Sequence, residues 1–68
     1  PLDMAAPTAA QLEASRAQLA SAEADLALAA SELERYRSLL DRQLVSRSLY
    51  DARVSAHEAA QARVRQAK

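Results

Sequence analysis

The side chains that could support catalysis are scarce in this chain. Cysteine is absent and histidine occurs once, at His57, so there is no thiol nucleophile, no disulfide framework and no zinc knuckle. A Ser-His-Asp site needs an oxyanion loop beside its base, and the chain has no glycine from which such a loop or a phosphate cradle is built. The sequence therefore predicts no enzyme activity, no catalytic residue, no metal ligand and no cofactor, and His57 reads as a packing residue. What stands out is a spacing, Arg35-x3-Leu39-x6-Ser46. Its chemistry is non-covalent, offering a guanidinium, an isobutyl group and a hydroxyl. By residue type alone the three read as a solvated arginine, a core leucine and a helix N-cap.

Their position gives them meaning. Leucine recurs every seventh residue at Leu12, Leu19, Leu26, Leu33 and Leu40, and the beat is then lost. A strict heptad repeat is the signature of a left-handed coiled coil. The companion heptad position holds Ser15, Ala22, Ala29 and Tyr36, so small residues let a partner backbone approach closely. Thr8 with Gln11 forms a capping-box pattern ahead of this run. A second alanine-rich run starts near Ser46 and continues to Lys68, with Ser46 the better N-cap and Ser48 the competitor. The fold expected is all-α, an antiparallel two-helix coiled-coil hairpin. Residues 1–7 read as an extended lead-in from a flanking domain outside the sequence, 8–41 as helix one, 42–46 as the tip loop and 47–68 as a truncated helix two.

Reversal near Gln43 pairs positions whose numbers sum to roughly 87, placing Leu33 near Val54 and Leu19 near Lys68. The expected core is Leu19, Leu26, Leu33 and Leu40 against Tyr50, Val54 and Val64. The register of helix two is open between Leu49–Ala52–Ala56–Ala59 and Tyr50–Arg53–His57–Ala60–Val64–Ala67, with the second favoured for its larger side chains. Residues 8 to about 18 lack a partner in this pairing, so about a dozen residues of helix two are expected to be missing. Such a hairpin is expected to be marginal alone and to gain stability from neighbouring copies or flanking domains.

Composition agrees with two helices at close range. Of 34 apolar residues 18 are alanine, and none is Phe, Trp or Ile. No apolar run approaches the roughly 20 residues that span a bilayer. Net charge is zero, but residues 1–41 carry seven acids and three bases while 42–68 carry two acids and six bases. Neutrality argues against nucleic acid as a partner, and the opposite signs favour folding one arm onto the other. Arg35, Arg37, Arg42 and Arg47 are interleaved with Glu32, Glu34, Asp41 and Asp51, which reads as solvated salt pairs.

The tip pattern resembles that of the periplasmic adaptor, or membrane fusion, proteins of tripartite efflux pumps. The likeness extends to Arg35-Tyr36, Leu39-Leu40, Val45-Ser46 and Tyr50-Asp51, to the Arg16–Ala20 stretch, and to Leu2-Asp3 followed by Pro7. Leu49 departs from it, since the family often carries an acid or amide there. The resemblance implies a hexameric periplasmic adaptor, attached to the inner membrane through parts outside residues 1–68. It implies two partners. One is an inner-membrane transporter, with the RND type ahead of the ATP-driven type, and the other is a TolC-type outer-membrane channel met by the hairpin tip. Multidrug efflux is the implied process. Carried over, Arg35 donates hydrogen bonds to the channel, Leu39 is an apolar knob, and Ser46 caps helix two and bonds across the joint. Two other readings stand beside this one, a generic structural or dimerising coiled coil and an RNA-gripping arm like that of certain tRNA synthetases.

Overall fold

A computed structural model describes residues 6–68. Two helices make up the fold, α1 over Ala9–Asp41 and α2 over Arg47–Ala67, packed against each other along α2. The expected lead-in falls largely on residues 1–5, as does Leu2-Asp3, and so lies outside the described residues. The molecule is a rod of 62 × 17 × 10 Å with a radius of gyration of 17.5 Å. A compact domain of this length would have a radius of gyration of about 11 Å. The shape thus follows from helices that bury one stripe each and nothing more.

Both arms are continuous because nothing within them interrupts the backbone ladder. Prolines occur at positions 1 and 7 alone, and Ala, Leu, Glu, Gln and Arg are strong helix formers. Thr8 starts α1 from extended backbone. Its Oγ1 accepts from the Gln11 N–H at 3.1 Å, while Gln11 Oε1 accepts from the Thr8 N–H at 2.8 Å. Two of the otherwise orphaned donors at the helix start are thereby satisfied.

The reversal is equally explicit. Arg42 is the C-cap, and Gln43 adopts φ 61°, the left-handed region. The Gln43 N–H bonds the Leu40 carbonyl at 2.9 Å and the Leu44 N–H bonds the Leu39 carbonyl at 2.8 Å. This pair of bonds is the Schellman motif, which satisfies the last carbonyls of a helix. Ser46 then opens α2 from extended backbone, its Oγ accepting from the Leu49 N–H at 3.1 Å.

The contact stripe of α2 is Tyr50, Arg53, Val54, His57, Ala60, Val64 and Ala67. Ala60 and Val64 are buried and the rest half-buried, whereas in the other register Leu49, Ala52 and Ala59 are exposed and only Ala56 is half-buried. Of the two registers open in the sequence, the one with the larger side chains faces α1. Across it, Ala22 is buried and Leu19, Leu26, Ala29, Leu33, Tyr36 and Leu40 are half-buried, while Leu12 and Ser15 are exposed. All of residues 6–18 are exposed, because α1 outruns α2.

Gln43 carries the local cost of the turn, since a residue with a Cβ in the left-handed region loses about 1 kcal/mol relative to glycine. Gln43→Gly is expected to raise stability by about that amount, and Gln43→Val to lower it by at least as much. Urea titration followed by helical circular dichroism checks both. Equal stability of all three proteins would contradict the turn.

Candidate functional site

The tip is built by the end of α1, the link and the first turn of α2. Arg35 and Leu39 stand four residues apart on α1 and share a face. The Arg35 side chain is 64% exposed, and its Nη2 lies 3.9 Å from Glu32 Oε2, a loose pair that leaves the guanidinium available. Leu39 is half-buried, and its carbonyl holds the Leu44 N–H of the Schellman turn. Ser46 is exposed at the start of the returning arm. Its oxygen accepts from Leu49, which leaves its O–H able to donate outward. No hydrogen bond among the described residues joins Ser46 to Arg35 or Leu39, so the chain reversal places the three near one apex without linking their side chains.

Other arginines near the apex are mostly engaged. Arg37 meets Glu34 at 3.1 Å and Arg47 meets Asp51 at 3.6 Å. Arg47 also lies over the Tyr50 ring, 5.8 Å from its centroid. The Arg37 guanidinium is held protonated beyond its ordinary range, first by the Tyr50 phenol and then by the Glu34 carboxylate. Arg42 enters no ion pair among the described residues. Two leucines stay in water here, Leu44 at 59% and Leu49 at 51% exposure. Sequence reading did not single out Leu44. The signal available was a bulky apolar residue inside a link too short to fold over it.

Behind the tip, a polar cluster joins the two arms. Arg53 Nη1 donates to Glu32 Oε1 at 3.2 Å, and its guanidinium sits 5.2 Å from the Tyr36 ring centroid. The Arg53 Nε is buried without an acceptor. Glu32 thus bridges Arg53 on α2 and Arg35 on α1. This cluster follows from the heptad, since a tyrosine in the small-residue stripe faces an arginine in the opposing one. The sequence reading placed Arg53 in its register without seeing the pairing.

Among the described residues no three His, Cys, Asp or Glu side chains converge on a common point. His57 is half-buried at the interface. A groove of about 340 Å³ opens between the arms at the end far from the tip, lined by residues including Gln18, Asp25, Arg63 and Gln66. No described helix is long and apolar enough to cross a membrane.

A glycine-free helical hairpin with both helix starts capped defines a class of coiled-coil arm. The family described as "RND MFP, alpha-helical hairpin domain" matches residues 5–68, and the chain belongs to that family. It is a membrane fusion protein hairpin, from a family of periplasmic structural adaptors associated with RND pump components. No curated protein and no solved structure gives a significant match. Membership favours the adaptor hairpin over both the generic coiled coil and the RNA-gripping arm.

The polar cluster makes a stability prediction. Removing Glu32 strands the Arg53 charge, whereas Arg53→Met removes the unpartnered Nε and leaves Glu32 its contact with Arg35. Glu32→Ala is expected to cost about 1–2 kcal/mol and Arg53→Met less than about half of that. A double-mutant cycle by chemical denaturation measures both, and equal costs would contradict the asymmetry.

Proposed function

We propose that this hairpin docks by its tip onto a TolC-type outer-membrane channel, as part of a hexameric periplasmic adaptor serving multidrug efflux through an RND transporter. The adaptor's other domains meet that transporter and attach it to the inner membrane. The observation that carries the reading is the apex. A rigid reversal, hydrogen-bonded on both sides of Gln43, holds an exposed guanidinium and an outward hydroxyl at the end of a 62 Å rod. A rod with its interaction groups at one end suits bridging better than enclosing.

In this reading Arg35 donates charge-assisted hydrogen bonds to carbonyl or carboxylate oxygens of the channel. Leu39 supplies apolar contact along the same face, and the Ser46 hydroxyl bonds across the joint while its oxygen keeps α2 capped. One tip covers too little surface for tight binding by itself. Repetition around a ring turns weak contacts into avid ones, because each docked tip raises the effective concentration of the next.

Leu39→Ser and Ser46→Arg are expected to abolish drug resistance and crosslinking to the channel while the arms stay helical. Ser46→Arg also removes a cap that contributes about 1 kcal/mol, so Arg35→Ala, which touches no cap, is run beside it. Circular dichroism and site-specific crosslinking supply the readouts. Undiminished crosslinking in all three variants would overturn the docking reading.

A further inference from the structure

The ion pairs near the apex are of two kinds. Glu34 with Arg37 and Asp51 with Arg47 join neighbours on one helix, and all four side chains are more than half exposed. Such carboxylates are free to follow the solvent and hold little in place. Glu32 is different. Its side chain is only 30% exposed, and each of its carboxylate oxygens meets its own arginine. Oε1 accepts from Arg53 Nη1 of the opposite arm at 3.2 Å, while Oε2 lies 3.9 Å from Arg35 Nη2 on the same arm. The Arg53 guanidinium is steadied in turn by the Tyr36 ring, one helical turn beyond Glu32. Arg35 therefore faces a counter-ion that is anchored from the other arm.

That anchor is kept at the expense of stability. Arg53 Nε is buried with no acceptor, and an apolar side chain of similar size would fill the place without that penalty. A polar group retained on such terms, directly behind a contact residue, marks a positioning task. Arg35 is what needs positioning. A long, exposed side chain has many rotamers, and immobilising it on docking subtracts from affinity. A fixed carboxylate narrows that spread beforehand. At 3.9 Å it directs the guanidinium while leaving its donors available to a partner.

We propose that Glu32 is the positioning residue of the docking contact, with Arg53 as its anchor. Arg53 fixes the carboxylate from α2, and the carboxylate sets the direction in which Arg35 presents its guanidinium to the channel. This rests on the docking reading and adds a condition to it. The tip is aimed only while the arms stand in register, because the residue that aims it is held across the interface.

The test uses the complete adaptor and its purified outer-membrane channel, with affinity and the helical melt recorded for each variant. Glu32→Gln and Arg53→Met are each expected to weaken binding by about three- to tenfold. Arg53→Lys, which keeps a cation for Glu32 but has no Nε, is expected to restore most of the affinity lost in Arg53→Met. The double variant Glu32→Gln with Arg35→Ala is expected to bind no more weakly than Arg35→Ala alone. Val64→Ala, which loosens the buried interface far from the tip, is expected to lower the melt and leave affinity near wild type. Wild-type affinity in Glu32→Gln and Arg53→Met, with binding impaired in Arg35→Ala, would overturn this inference alone. So would additive losses in the double variant, or a loss in Val64→Ala as large as that in Glu32→Gln. Wild-type affinity in Arg35→Ala, Leu39→Ser and Ser46→Arg together would overturn the docking reading with it.

Discussion

Everything in this fold depends on a chain reversal made without glycine. Between Asp41 and Arg47 the backbone must end one helix, turn back and begin another, and Gln43 takes the left-handed conformation that permits it. The strain at that residue is offset by bonds on each side. Two carbonyls of α1 are satisfied by Gln43 and Leu44, and the first turn of α2 is satisfied by Ser46. The apex is therefore set by backbone hydrogen bonds more than by side-chain packing. Its side chains remain free to face outward.

Between the arms the opposite holds, because the apolar interface is thin. Its buried members among the described residues are two alanines and a valine, Ala22, Ala60 and Val64. Alanine stripes allow close approach but discriminate poorly between registers, since sliding one alanine past another changes little. The Glu32–Arg53–Tyr36 cluster supplies what the alanines lack, one directional contact between the arms. Buried or half-buried polar groups are best attested in coiled coils as specifiers of register, even where they add little net stability. The orphaned Arg53 Nε fits a group kept for alignment.

Much of this was legible in the sequence. The leucine beat from Leu12 to Leu40, the Thr8–Gln11 box and the Ser46 cap announce the two helices, because each is a local pattern with a local cause. The stripe of α2 was less clear, since alanines at both candidate registers left Tyr50, Val54 and Val64 as the deciding side chains. The positive φ at Gln43 was not legible at all. Glycine or asparagine would have marked it, whereas glutamine has no special liking for that region. Of the site, the spacing of Arg35, Leu39 and Ser46 could be read, but which side chains stay in water could not. Leu39 is half withdrawn, and Leu44 and Leu49 stand out instead, because exposure at a tip depends on the path of the turn.

The absence of glycine from both arms, and of proline from their interiors, has a mechanical consequence. Sharp helix kinks arise almost always at such residues or at inserted groups, so neither arm carries a fulcrum of its own. A lever without an internal joint delivers rotation at one end to the other undiminished, and a small change of angle at the base becomes a sizeable sideways displacement of the apex. Accommodation to a moving neighbour is then left to whatever holds the base, and the hairpin behaves as a pointer whose aim is set from behind.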